Sequence, residues 1–208
     1  GYDWRREEAR LNEFPQFTTE IDGQTIHFLH VRSPEPDALP LIVTHGYPSS
    51  VAEMTRIVGP LTDPRAYGGD PAGAFHVVAP SLPGYGFSMP LREPGWELGR
   101  TGRAWVELMA RLGYERYGAQ GGDIGAGVSG ELGIRDPERV VGVHVTTDPT
   151  ALALIGGMLP DEADDMSDAQ KLRLAELRRW EADGRGYRQI QSTRPQTLAY
   201  GLADSPVA

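Results

Sequence analysis

The chain has no cysteine among its 208 residues. That excludes disulfides, thiolate nucleophiles and cysteine-ligated metal sites. Lysine is nearly absent too: Lys171 is the only one, and arginine carries almost all the positive charge. With abundant Gly and Ala, this points to a GC-rich bacterial genome, which is a matter of codons and not of function. Positive charge is scarce overall, and the formal net charge of -9 disfavours nucleic acid and anionic membranes as partners. No apolar run is long enough to cross a bilayer, and Gly1-Tyr2-Asp3-Trp4-Arg5-Arg6 lacks the hydrophobic stretch of a signal peptide. A soluble, cytoplasmic protein is the default expectation. Histidine is missing from everything after His144.

What is present reads as alternating strands and helices. A short helix is expected before Phe14-Pro15, in an N-terminal segment 1–17. Phe17–Ile21 and Gln24–Val31 are β-rich and joined by Asp22-Gly23, a strong hairpin signal. Leu41–Thr44, Phe75–Ala79, Arg116–Gln120 and Val140–Val145 read as further strands, the first and last of buried type. Helices are expected from about Ser50 to Gly59, over Trp96–Leu112 and over Ala126–Ile134. This order implies a mainly parallel sheet flanked by helices over residues 1–149. After Asp148-Pro149 the pattern changes to an apolar segment Ala151–Leu159 and an acidic one, Asp161–Asp165. Ser167-Asp168-Ala169-Gln170 has capping-box spacing and starts a helix of about 15 residues. Residues 150–208 read as a partial helical lid at the carboxyl edge of the sheet, where open α/β sheets bind ligands.

Gly121-Gly122-Asp123-Ile124-Gly125-Ala126 carries the chemistry. It has the layout of a nucleophile elbow, with small residues on both sides of the nucleophile and a carboxylate in serine's place. A carboxylate attacking a carbonyl gives an adduct that reverts. Attack on saturated carbon gives an alkyl ester that water can later cleave. The pattern therefore points to an epoxide or an alkyl halide. The simpler role for Asp123 is a helix N-cap. Upstream, His45-Gly46-Tyr47-Pro48 sits where a strand runs into a helix. In an α/β-hydrolase layout, the backbone N–H groups of Tyr47 and Ile124 would form an oxyanion hole. Tyr47-Pro48 is a candidate cis bond. His45 is expected to be structural, as are His27, His30, His76 and His144, and Asp161–Asp165 lacks the pattern of a calcium loop.

Gly125-Ala126-Gly127-Val128-Ser129-Gly130 is formally a dinucleotide-binding pattern, with Asp148 about 18 residues on. An NAD(P)-binding Rossmann domain is the competing reading. The polar, glycine-rich Tyr117–Asp123 segment before it argues against that, because a Rossmann first strand is nearly all apolar. A non-catalytic hydrolase-fold domain is a third.

Several segments together resemble the microsomal-type epoxide hydrolase family of the α/β-hydrolase fold, bacterial branch. They are Asp3-Trp4-Arg5 with Ala9–Phe17, His45-Gly46-Tyr47-Pro48, Pro80–Ser88, the elbow, Gly186–Thr197 and Gly201–Pro206. The resemblance implies that Asp123 is the nucleophile and that Tyr187 is the first of two lid tyrosines donating a proton to the epoxide oxygen. It implies an epoxide and water as the reactants and no metal or organic cofactor, and leaves an oligomer open. Haloalkane dehalogenases share the aspartate elbow but usually follow it with a halide-binding tryptophan; Ile124 stands there and favours an epoxide. The family's general-base histidine, its acid partner and the second tyrosine normally lie C-terminal to Tyr187, so they are expected beyond Ala208. The chain is expected to be shortened at both ends.

Overall fold

A computed structural model describes residues 2–146 and 166–205. The expected apolar segment Ala151–Leu159 and acidic segment Asp161–Asp165 lie outside the described residues. The chain divides into two compact units, Gly1–Thr147 and Asp148–Ala208.

In the first unit, α1 (Trp4–Leu11) is capped by Asp3, whose side chain accepts from the Arg6 N–H. Strands β1 (Gln16–Ile21) and β2 (Gln24–Val31) form the expected hairpin. Asp22 and Gly23 both take positive φ, 50° and 72°, which a tight two-residue hairpin turn requires. Then come β3 (Leu39–Thr44), a short 3-10 helix (Val51–Arg56), α2 (Val58–Thr62), β4 (Phe75–Pro80) and α3 (Leu98–Arg111). β5 (Tyr117–Gly122), α4 (Ile124–Arg135) and β6 (Val140–Thr146) follow. The six strands form one sheet in the order β1-β2-β4-β3-β5-β6. β4, β3, β5 and β6 run parallel, and the β1–β2 hairpin joins β4 antiparallel.

Both faces of the sheet are covered. Neighbouring residues turn to opposite sides, as strand geometry demands. Phe28, Ile42 and Val78 join one core with Trp105, Leu108 and Leu132; Leu29, Val43 and Val77 join another with Val51, Met54 and Val58. Each fully buried aliphatic side chain contributes roughly 1.5–3 kcal/mol. Trp105 has no exposed surface, and its indole N–H donates to Thr44 Oγ1 at 3.1 Å, tying α3 to the end of β3.

β6 departs from the expectation of a buried strand. Among the described residues it is the sheet edge, and Val141 and Val143 are 45% and 43% exposed. Apolar sequence alone does not say whether a strand is central or marginal. The expected helix after Ser50 is also split into the 3-10 helix and α2.

In the second unit, α5 (Asp168–Arg179) begins with the expected capping box between Ser167 and Gln170. A π-helical turn (Trp180–Gly184), α6 (Gly186–Thr193) and α7 (Pro195–Asp204) follow. Among the described residues, no helix is long and apolar enough to cross a membrane.

Candidate active site

The elbow is a place where only small residues fit. Asp123 sits between β5 and α4 with φ 52° and ψ -122°, a conformation side-chain-bearing residues rarely adopt. The glycines around it answer to close approach. A Cβ on Gly121 would lie 2.2 Å from the Gly125 carbonyl oxygen, and one on Gly125 would lie 2.0 Å from that of Thr44. At the other end of this strand–helix unit the Tyr117 hydroxyl donates to Asp136 Oδ2 at 2.7 Å. Burial, with the Asp136 carboxylate beside it, pushes the Tyr117 phenol well up. Tyr117 starts β5 and Asp136 ends α4, so the bond clasps the pair and fixes the turn between them.

Asp123 does not act as an N-cap. Its side chain makes no bond to the first turn of α4. Instead Oδ1 accepts from the backbone N–H of Tyr47 at 2.9 Å. Gly46 makes that approach possible, since a Cβ there would fall 2.7 Å from Asp123 Cβ. Ile124 opens α4, so its N–H is one of the first-turn donors with no partner inside the helix. The donors anticipated at Tyr47 and Ile124 thus lie on the carboxylate and immediately after it. The Tyr47-Pro48 bond is cis.

His45 is structural. It is fully buried; its Nε2 accepts from the Leu82 N–H at 3.0 Å, so Nδ1 carries the hydrogen and donates to the Gly46 carbonyl at 2.9 Å. Burial lowers its pKa, which keeps it neutral. It couples the Gly46-Tyr47 backbone to the Pro80–Ser88 loop. His27 is likewise buried between Ser81 Oγ and Gln16 Oε1, each 2.9 Å away. His30 bonds the Tyr114 hydroxyl at 2.7 Å, His76 accepts from the Ser33 N–H at 2.9 Å, and His144 is exposed on β6. No group of side chains that could hold a metal ion occurs among the described residues.

An open cleft of about 400 Å³ surrounds the carboxylate. Beyond Tyr47 and Asp123 its walls include Glu53, Met54, Ile57, Gln120 and Thr146. None of these five was singled out from sequence, because the 3-10 helix with its C-cap, β5 and β6, which supply them, are brought together only by the fold. Tyr85 was quoted only as part of a segment, yet its ring lies edge-on to His45 and Tyr47, with centroids 5.5 and 6.1 Å apart. Burial raises its phenol pKa, with the Tyr47 and Asp123 charges adding to the effect.

Tyr187 is in the second unit, on the first turn of α6, and is 54% exposed. The dinucleotide-like Gly125–Gly130 lies wholly inside α4. Of its glycines only Gly125 belongs to the tightly packed elbow, where a Cβ would meet the Thr44 carbonyl; Gly127 and Gly130 lie further along the helix.

A family model described as "alpha/beta hydrolase fold" matches residues 40–189, and one described as "Epoxide hydrolase N terminus" matches residues 1–54. The chain belongs to the α/β-hydrolase fold family. A Stigmatella aurantiaca protein provisionally named an epoxide hydrolase is 47% identical over 205 residues, which are 99% of this chain and 45% of that protein. "Epoxide hydrolase 1" of Oryctolagus cuniculus is 35% identical over 224 residues, 99% of this chain and 48% of its own length. The solved structure of Aspergillus niger epoxide hydrolase matches with a TM-score of 0.79 and 37% identity, covering 99% of this chain and 52% of that one. Within the fold family, these likenesses are consistent with the microsomal-type epoxide hydrolases, as the sequence segments indicated. The chain spans somewhat under half the length of the two curated relatives.

Proposed function

We propose that the protein is an epoxide hydrolase that forms vicinal diols through a covalent ester on Asp123. The observation that carries this reading is the Asp123 carboxylate, held at a strained elbow with one oxygen on the Tyr47 N–H at 2.9 Å. One carboxylate oxygen attacks a ring carbon of the epoxide. The C–O bond breaks, and its electron pair goes to the ring oxygen, which takes a proton from Tyr187. A phenol suits this role, because it stays protonated at neutral pH and can still donate as the alkoxide develops. Water then attacks the ester carbonyl carbon. The Tyr47 and Ile124 N–H groups stabilise the oxyanion; as the carboxylate re-forms, one proton of the water goes to the departing diol oxygen and the other restores the Tyr187 phenol. The family resemblance supplies a histidine base for this second step, and no residue of this chain is proposed for it. Residues 150–208 are proposed as a lid.

A haloalkane dehalogenase reading would need a halide-binding donor after the nucleophile, and Ile124 offers only its backbone. The test is acid-quenched intact-mass spectrometry after exposure to styrene oxide, with diol assayed in parallel. The expected result is a gain of one epoxide mass mapping to Asp123, or diol formation, both lost in Asp123→Asn. A folded protein giving neither would sink the proposal.

A further inference from the structure

Ser50-Val51-Ala52-Glu53 has capping-box spacing at the start of the 3-10 helix. In such a box the glutamate reaches back to the N–H of the cap residue. The box itself does not form: Ser50 Oγ accepts from the Ala52 N–H at 3.3 Å, one residue short of the Glu53 N–H. Glu53 goes elsewhere. Its Oε1 accepts from the Gly46 N–H at 3.3 Å, and its Oε2 accepts from the Ser49 hydroxyl at 2.5 Å. Both oxygens act as acceptors. Glu53 therefore brackets the loop, with one bond before Tyr47 and one after it. Tyr47 carries the N–H that points at Asp123, and Glu53 shares the cleft with that carboxylate.

We infer that Glu53 is a positioning residue that sets the direction of the Tyr47 N–H. What that N–H does for catalysis rests on the epoxide hydrolase reading above. Gly46 has no side chain with which to fix itself, and its backbone lies against Asp123. His45 holds the Gly46 carbonyl, and Glu53 holds the Gly46 N–H. Together they orient the peptide units leading to the Tyr47 nitrogen. In the resting site that N–H is spent on Oδ1. Once Asp123 is alkylated, water attack puts negative charge on the ester oxygen. A donor aimed at the developing charge helps more than one that must first turn. A capping glutamate would affect only stability. One that aims the donor affects breakdown of the ester more than its formation.

Glu53→Ala and Glu53→Gln in the same chain test this with two independent readouts. The first needs no epoxide: amide hydrogen exchange by NMR. Tyr47 and Gly46 are expected to exchange about tenfold faster in Glu53→Ala, with Ile42 and Val78 unchanged. Glu53→Gln can accept through only one atom and is expected to fall between. The second readout is the Asp123 ester. Its breakdown is expected to slow about tenfold in Glu53→Ala, short of the ~10²–10³ lost when an oxyanion donor is removed outright, while its formation changes little. Unchanged Tyr47 exchange in Glu53→Ala overturns the inference, as does equal slowing of both chemical steps. Faster Tyr47 exchange with no ester even in the unmodified chain removes the epoxide reading and leaves the loop-setting role standing.

Discussion

The backbone N–H of Tyr47 donates to Oδ1 of Asp123 at 2.9 Å, joining two loops 76 residues apart in sequence. A carboxylate that could have capped its own helix instead faces a donor on the neighbouring strand's loop. The bond orients one carboxylate oxygen. It also keeps a backbone donor beside the carboxylate, where the ester oxygen of the proposed intermediate would lie.

The elbow's backbone makes a stability prediction separate from chemistry. Asp123 has φ 52°, which glycine tolerates and alanine does not. Asp123→Gly and Asp123→Ala both lose the bond to Tyr47, so they differ mainly in backbone strain. Asp123→Gly is expected to be the more stable of the two by about 1 kcal/mol, read from urea unfolding midpoints. Neither should form the ester. Equal midpoints would mean that the strain is absent.

Two glycines of α4 should respond in opposite ways. A Cβ on Gly125 meets the Thr44 and His45 carbonyl oxygens at 2.0 and 3.0 Å, both backbone and unable to yield. Gly125→Ala is expected to cost about 3 kcal/mol or more. Gly130 is inside the same helix with nothing within 4 Å of a Cβ. Gly130→Ala should stabilise by about 0.5–1 kcal/mol. Thermal unfolding of the pair checks both. Loss of stability in Gly130→Ala would contradict the open surroundings found there.

Stability should fall as pH drops below the histidine range. Burial lowers the pKa of His27, His30, His45 and His76 from an ordinary value of 6.5. Unfolded, each binds a proton near that value; folded, each resists it. The unfolded state therefore holds more protons, and stability rises with pH through this window. The contribution is complete above 6.5 and is lost as pH falls toward the lower folded values. Urea midpoints at pH 7 and pH 5 test the sign. A midpoint that rises on acidification would reverse it.

Tyr187→Phe is expected to slow formation of the Asp123 ester by about a hundredfold, the scale of one general acid. Breakdown of the ester already formed should be nearly unaffected. Rapid-quench mass spectrometry separates the two. An unchanged formation rate would return Tyr187 to a packing role in α6.

The elbow could be read in sequence because local sterics dictate it. Only small residues permit the turn, so Gly121 and Gly125 had to be written there. The hairpin at Asp22-Gly23 and the capping box at Ser167 were legible for the same reason: positive φ and orphan N–H groups restrict residue choice on the spot. The His45-Gly46-Tyr47-Pro48 loop could be placed because it joins a strand to a helix. Val140–Val145 has the apolar run of a buried strand, yet among the described residues β6 stands at the sheet edge, a difference an apolar run alone does not encode.

Glu53, Gln120, Thr146 and Tyr85 were out of reach of that reasoning. Each is a common residue with an ordinary local role, and nothing near it in sequence demands the site. They gather around the elbow because β4, β3, β5 and β6 lie side by side in the sheet in an order the chain does not follow. Sequence by itself determined the elbow that carries Asp123, the small residues around it and the alternation of strands and helices, all consequences of short-range sterics and hydrophobic period. Only the tertiary structure decided which way the Asp123 carboxylate faces, which N–H meets it and which carboxylate braces that loop. Those depend on sheet order, and sheet order is settled by long-range packing that no local pattern encodes.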